Sequence, residues 1–303
     1  MSSMKIPFNK PYFTNNEINM VIEAAKAGRI SGNGIFTKKC HSFFEKKYGF
    51  RKTLLTNSCT DALEMSAVLT NFNPGDEVIC PSFTFVSTAS AFALHGAKII
   101  FADSRPDQPN IDETRIEELI TPKTRAIIVV HYSGVACEMD TILELAKRHD
   151  LIVIEDAALS IDSFYRKKAL GSLGDIASFS FHETKNIITG EGGLLAVNNP
   201  ALLERSEIIW EKGTNRAAFQ RGDVKKYEWV DVGASYLPSE MMAAALLAQL
   251  KDLKKIQKRR TSIWHQYFDK LKPLQDEGFI QLPMLPEYTT VNGSMFYFLT
   301  RNN

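Results

Sequence analysis

The stretch 125-RAIIVVHYSGVACEMDTILELAKRHDLIVIEDAA-158 holds a complete strand–helix–strand unit. Its first apolar run, Ala126 to Val130, is continuous and rich in β-branched residues. A strand with one wet face would alternate; a continuous run is buried on both faces, as in a parallel sheet covered by helices. The middle segment, Glu138 to Asp150, sets Met139, Ile142, Leu143 and Ala146 on one face of a helix. The second run, Leu151 to Asp156, is again continuous and ends on two carboxylates.

The same alternation extends outward in both directions. Upstream, KTLLT (52–56), EVICP (77–81) and KIIFAD (98–103) read as strands, and SCTDALEMSAVLT (58–70), TFVSTASAFALHG (84–96) and DETRIEELI (112–120) as helices. Downstream, ASFSF (177–181) and GLLAV (193–197) add two strands. Residues Arg51 to about Asn198 therefore predict one α/β domain with a mostly parallel sheet between helical layers. Two short helices precede it, Asn16 to Ala27 and Ile35 to Tyr48, joined by GRISGNG. From Pro200 the chain turns helical, with a long helix predicted from Ser239 to about Lys272. The closing IQLPMLPEYTTVNGSMFYFLTRNN reads as the start of a second, β-containing region, ending in the strand-like run MFYFLTR. The division expected is 1–240 for a large domain and 241–303 for a linking helix and an incomplete small domain.

Bulk properties narrow the function. The 303 residues are 44% hydrophobic and 23% charged, with a formal net charge of +1. That balance points to a soluble protein and gives no bulk attraction to nucleic acid or an anionic membrane. The apolar run MMAAALLA is far short of the roughly 20 residues that span a bilayer. No apolar segment follows Met1 in the manner of a secretion signal. Cys40, Cys59, Cys80 and Cys137 form no C-x-x-C pair, which argues against a zinc site or a disulfide framework. A cytoplasmic protein without metal is the expectation.

In open α/β sheets, ligands sit beyond the C-terminal ends of the strands. Four segments lie there. Ser58, Cys59 and Thr60 open a helix directly after a strand, where free N–H groups favour a phosphate; a plain cap, Ser58 with Asp61, fits the same residues. Asp156 ends a buried strand, suited either to capping the next turn or to pairing with a buried cation such as a protonated pyridine nitrogen. Phe85 sits at a strand-to-helix turn, as a core residue or as a ring stacked on a flat ligand. Lys185 lies in FSFHETKNIITGEGG (179–193), 29 residues beyond Asp156 and five beyond Ser180. Burial by Phe179 and Phe181 would lower its proton affinity, and a neutral amine is what reaction with an aldehyde needs. Jointly the pieces describe a ligand with a phosphate, a flat ring, a basic ring nitrogen and an aldehyde, which is pyridoxal 5′-phosphate. G-x-G-x-x-G after the first strand and G-x-x-x-x-G-K-[ST] are both missing, so the dinucleotide and P-loop readings fail.

The segments TNSCTDALEM, PGDEVICPSFTFVSTASAF, GAKIIFADSRPDQPNIDE, HYSGVACEMD, VIEDAA, SFSFHETKN, GEGG and EKGTNR resemble, in order and spacing, the DegT/DnrJ/EryC1/StrS sugar aminotransferases, from about Ile6 to the last residue. The resemblance implies a pyridoxal-phosphate-dependent transferase of fold type I, aspartate-aminotransferase-like, acting as a homodimer with active sites at the interface. It matches Lys185 to the lysine that binds the cofactor's aldehyde and Asp156 to the carboxylate on its ring nitrogen. Cys59, Thr60 and Ser180 match the phosphate site, and Phe85 the stacking ring. Ser235 and Tyr236 match a segment that reaches the partner's cofactor phosphate, and Lys212, Thr214, Asn215 and Arg216 a loop near the entrance for the nucleotide sugar. The implied reaction moves an amino group from L-glutamate to C4 of dTDP-4-keto-6-deoxy-D-glucose, giving dTDP-4-amino-4,6-dideoxy-D-galactose for surface polysaccharide or enterobacterial common antigen. Family dehydratases carry histidine in place of the lysine, and Lys185 argues against that branch.

Three features depart from the family's pattern. Leu159 stands where a glutamine usually follows EDAA and bonds the cofactor's phenolic oxygen. Lys167 stands in a Y-x-G turn where glycine is usual, so a positive φ there implies strain. Relatives continue for several tens of residues past Asn303, which implies an incomplete small domain. The first and third features leave room for a non-catalytic binding protein, or for a transaminase acting on another nucleotide keto-sugar or giving the other C4 epimer.

Overall fold

A computed structural model describes residues 5–300. In chain order the elements are α1 (Asn15–Lys26), α2 (Ile35–Tyr48), β1 (Lys52–Thr56), α3 (Cys59–Thr70), β2 (Glu77–Pro81), α4 (Val86–Leu94), β3 (Lys98–Ala102) and β4 (Thr124–Val130). Then come α5 (Met139–His149), β5 (Ile152–Asp156), β6 (Phe164–Tyr165), β7 (Lys168–Ala169), β8 (Ile176–Ser180), β9 (Gly193–Val197), α6 (Leu203–Trp210) and α7 (Arg216–Arg221). The chain closes with α8 (Glu240–Asp276), β10 (Ile280–Gln281), β11 (Thr289–Thr290) and β12 (Leu299–Thr300).

Among the described residues, seven strands form the central sheet in the order β1-β9-β8-β5-β4-β2-β3. Strands β3, β2, β4, β5 and β8 are mutually parallel, while β9 runs antiparallel to both β8 and β1. All seven strands read from continuous apolar runs are present. Successive residues face opposite layers. Leu55, Phe179 and Leu194 pack toward α1, α2 and α8. Leu54, Ile154 and Leu195 pack toward α3, α4 and α6. Helix α5 covers Ile127, Val129 and Val153. The result is a three-layer α/β/α arrangement.

Two predicted elements differ. DETRIEELI forms two 3₁₀ turns, Glu113–Arg115 and Glu117–Leu119, instead of an α-helix. Pro122 biases Thr121 away from helix, and Glu117 and Glu118 oppose the helix dipole near a C-terminus. MFYFLTR pairs with β10 only at Leu299 and Thr300; Arg301 lies outside the described residues. The long helix α8 runs through Pro273 and stops within a turn of it. Its first turns, from Ala243 to Ile256, are buried against α1, α2 and the sheet. Glu240, buried at its start, accepts N–H bonds from Gly34, Phe36 and Thr37 and so caps α2. Among the described residues no helix is long and apolar enough to cross a membrane, and no group of three or more His, Cys, Asp or Glu is placed to hold a metal ion.

The outer edge of β1 is closed by side chains one helical turn apart on α2. Thr53 N–H donates to Glu45 Oε1 (3.0 Å) and Leu55 N–H to His41 Nε2 (2.9 Å). Trp210 Nε1–H donates to Leu55 O (2.6 Å). These bonds occupy an edge that would otherwise template another strand. Burial, aided by the Lys52 charge, depresses His41 to about 3. The unfolded chain takes up that proton near 6.5, so the His41 contribution to folding stability is full above this value and falls by about 1.4 kcal/mol per pH unit below it. Urea unfolding is expected to show wild type losing about 2 kcal/mol more than His41→Gln between pH 6.5 and 5.

The β6–β7 hairpin turns through Arg166 and Lys167, both at positive φ (45° and 72°). A two-residue hairpin loop of this kind favours Asn-Gly, and a left-handed non-glycine residue costs about 1–2 kcal/mol. Lys167→Gly is therefore expected to raise the urea midpoint by the equivalent of about 1 kcal/mol. Equal or lower stability would show that the turn is not strained.

Candidate active site

At the C-terminal edge of the sheet, strand parity sorts the polar residues. Asp156, Ser178 and Ser180 face α3 and α4, and Glu155, Phe179 and Phe181 face the opposite layer. Glu155 is committed there: it accepts from the N–H groups of Gly171, Leu173 and Gly174 and pairs with His131 Nε2 (2.9 Å). Asp156 is left for the other side.

A cavity of about 490 Å³ opens on that side. Ser58, Cys59, Thr60, Phe85, Asp156, Ser180 and Lys185 all border it. Helix α3 points its N-terminus into the cavity, so the Cys59 and Thr60 N–H groups have no intrahelical acceptor. Ser58 is the cap: its hydroxyl accepts from Asp61 N–H (3.0 Å) and bonds the Asp61 carboxylate (3.0 Å). Capping and an anion-ready helix start thus coexist, with the Ser58 hydroxyl spent on the cap. Thr60 Oγ1 donates to Ser87 Oγ (2.9 Å) across the cavity wall. Gly193 is needed where β9 meets this helix, since a Cβ there would fall 2.3 Å from Ser58 O.

Asp156 is 5% exposed. Its Oδ2 accepts from Thr88 Oγ1 (2.7 Å) and its Oδ1 from Ala158 N–H (3.1 Å). Thr84 Oγ1 bonds Thr88 in turn (2.7 Å), extending the chain of hydroxyls. Burial pushes the Asp156 carboxyl above its ordinary value, against the pull of Thr88, Ala158 N–H and Lys185. A carboxylate made more basic in this way suits a cationic partner. Thr88 escaped the sequence reading although it lies in the same FVSTAS segment as Phe85, because its partner is 68 positions away. Ser87, His182, Thr184 and Glu191 also border the cavity.

Lys185 is half-buried, with its N–H donating to His182 O (2.9 Å) and its carbonyl accepting from Arg260 Nη2 (2.9 Å). The phenylalanines expected to desolvate it do not line this side: Phe179 and Phe181 lie in the core toward α2. Phe85 is 74% exposed, its ring at the cavity mouth and outside any core. Leu159 follows Ala158, which borders the cavity, and its carbonyl accepts from Asn292 Nδ2 (2.8 Å).

The remaining predicted residues lie elsewhere within one protomer. Asn57 Nδ2 donates to the carbonyls of Ser235 (3.3 Å) and Tyr236 (3.1 Å), holding that segment beside α3, and Tyr236 borders a different cavity. Lys212, Thr214 and Asn215 lie between α6 and α7, and Arg216 opens α7. Thr214 Oγ1 donates to Glu211 O (2.7 Å), Asn215 Nδ2 to Lys226 O (3.0 Å), and Arg216 pairs with Glu211 (3.5 Å). Thr214 and Asn215 border a third cavity, away from Lys185.

The open helix start, the buried carboxylate and the lysine are the groups that pyridoxal phosphate requires, and they share one cavity. Known proteins point the same way. The chain is 36% identical over 86% of its length to the spore coat polysaccharide biosynthesis protein SpsC of Bacillus subtilis, spanning 68% of that protein. It is 37% identical over 82% of its length to GDP-perosamine synthase of Caulobacter vibrioides, spanning 65% of it. Its fold matches the PLP-form of a putative sugar aminotransferase, Spr1654, from Streptococcus pneumoniae, with a TM-score of 0.88, 26% identity, and coverage of 98% of this chain and 78% of that one. The three layers and mostly parallel sheet are those of fold type I, aspartate-aminotransferase-like. Matched by the family's sequence model from residue 11 to residue 302, the chain belongs to the DegT/DnrJ/EryC1/StrS aminotransferase family.

Proposed function

We propose that the protein transfers an amino group from L-glutamate to C4 of a nucleotide-linked 4-keto-6-deoxy sugar, with pyridoxal 5′-phosphate as cofactor. The favoured substrate is dTDP-4-keto-6-deoxy-D-glucose and the favoured product dTDP-4-amino-4,6-dideoxy-D-galactose. The observation that carries this reading is the meeting of Lys185, Asp156 and the α3 N-terminus in one cavity. When bound, the cofactor supplies an aldehyde that takes up an amino group and a ring that withdraws electrons from the adjacent C–H bond.

The chain's own residues supply the rest. The Cys59 and Thr60 N–H groups, with the Thr60 and Ser180 hydroxyls, bind the phosphate at the positive end of α3. Asp156, oriented by Thr88 and Ala158 N–H, keeps a proton on the ring nitrogen. Phe85 covers one ring face. Lys185 Nζ would hold the aldehyde and, as a free amine, would move a proton at the donor α-carbon. The position of Leu159 leaves the phenolic oxygen without the side-chain amide that the family usually offers.

In this reading two copies form a homodimer. The exposure of Phe85 and Val86 at the cavity mouth, and of Trp229, Val230 and Val232 before Ser235, fits surface that a second copy covers. Ser235 and Tyr236 then serve the partner's phosphate site, and Lys212 to Arg216 the sugar entrance. Residues 1–240 form the cofactor domain and 241–303 the linking helix and part of a smaller domain. The protein works in the cytoplasm, in surface polysaccharide or common-antigen synthesis.

A GDP-linked sugar is the second reading, favoured by the 37% identity to a GDP-perosamine synthase. Incubation with cofactor, L-glutamate and either nucleotide sugar, followed by NMR of the product, separates the readings. An axial C4 amine on the dTDP sugar is expected. An equatorial amine, or turnover of the GDP sugar alone, overturns the specific assignment. No amino transfer to either sugar contradicts the activity itself.

A further inference from the structure

We propose that Asn292 is a positioning residue that sets the separation between the Asp156 and Lys185 loops. The inference rests on the roles given to those two residues above. Asn292 comes from the closing segment, far from both loops in sequence, and is 1% exposed. Its Nδ2 donates to Leu159 O (2.8 Å) and Ile161 O (2.7 Å), on the turn that follows Asp156. Its main-chain carbonyl accepts from Asn186 Nδ2 (3.0 Å), on the residue after Lys185. Asn186 Nδ2 also donates to Gln257 Oε1 (2.9 Å), and Gln257 Nε2 donates back to Ile161 O (3.3 Å). The circuit therefore closes: Asn292, Asn186, Gln257 and Ile161, all buried, form a ring of hydrogen bonds between the two loops.

The closing segment is seated firmly enough to act as a reference. Asn292 Oδ1 accepts from Ser294 N–H (2.9 Å), which fixes the amide's orientation. Gly293, at φ +63°, lets the segment lie directly on α8, since a Cβ there would sit 2.8 Å from the Arg260 carbonyl carbon. Arg260 itself donates to Lys185 O (2.9 Å). One helix and one asparagine thus hold both sides of the chemistry. The side-chain N–H groups of all three amides in the ring are engaged, while Asn186 Oδ1 is buried without a partner among the described residues; a misplacement of about 1 Å at reacting groups costs up to about 100-fold in rate.

The test uses the full chain loaded with pyridoxal phosphate. Asn292→Ala unties the Asp156 side, since its bond from Asn186 uses a main-chain carbonyl that alanine keeps; Asn186→Ala unties the Lys185 side, and Glu240→Gln destabilises the fold away from this ring. Each is studied at a temperature where circular dichroism shows it folded. The readouts are the pH titration of the bound cofactor's visible absorbance and the rate of the spectral change driven by L-glutamate. Both loop variants are expected to shift the titration midpoint by more than about half a pH unit and to slow the glutamate step by about 10- to 100-fold. Glu240→Gln is expected to change neither while lowering the melting temperature. A wild-type midpoint and rate in either folded loop variant overturns the proposal. Wild-type protein that takes up no borohydride-fixed cofactor at Lys185 overturns the site reading and this proposal with it; label at Lys185 with unchanged variants overturns this proposal alone.

Discussion

Lys185→Ala is expected to abolish amino transfer, by more than about 10³-fold in kcat/KM, because in the proposed mechanism one amine both holds the aldehyde and moves the proton. The fold should be indifferent. The Lys185 side chain is half-buried at the cavity wall, and truncation there alters stability by less than about 0.5 kcal/mol. The backbone of residue 185 keeps its bonds to His182 and Arg260, which involve main-chain atoms only on its side. Steady-state rates and urea unfolding on the same preparation make the comparison. A variant that retains a tenth or more of the wild-type rate would remove the lysine from the chemistry.

Asp156→Asn is expected to cost more than about 10²-fold in kcat, with the opposite sign on the stability of the cofactor-free protein. Asparagine fills the same space but carries no charge to keep a proton on a ring nitrogen. Without cofactor the wild-type carboxylate is buried with no ion-pair partner within 4 Å among the described residues, and its folded pKa stands above the ordinary value. The stability it sacrifices is retained at pH values below the unfolded carboxylate pKa of about 3.9. It is lost progressively as pH rises through the raised folded value. At neutral pH the cofactor-free Asn variant should therefore unfold at a urea concentration equal to or above that of wild type, while turning over far more slowly. A wild-type rate in the variant would contradict the role of Asp156. A large loss of stability would show that its bonds to Thr88 and Ala158 outweigh its burial.

Much of this was legible in the chain because the information is local. Parallel strands buried on both faces must be continuous apolar runs, so Ala126–Val130 and Ile152–Ile154 could hardly be anything else. Site residues fall at the ends of such runs, which made Asp156 and the α3 start visible. Orientation was harder. Phe179 and Phe181 were read as neighbours of Lys185, yet the period of two along β8 turns them to the other layer. Long-range partners left no local trace: Thr88 meets Asp156 across 68 positions, and Asn292 meets Asn186 across 106. The DETRIEELI segment failed for a different reason, its helical composition being overridden by a following proline.

The central claim is that Lys185 is the cofactor's point of attachment. Purified protein incubated with pyridoxal phosphate, reduced with borohydride, digested and read by mass spectrometry tests it directly. The account predicts one pyridoxyl-phosphate mass addition, on the peptide containing Lys185, and its loss in Lys185→Ala. Label on another lysine, or unchanged labelling of the Ala variant, would contradict it.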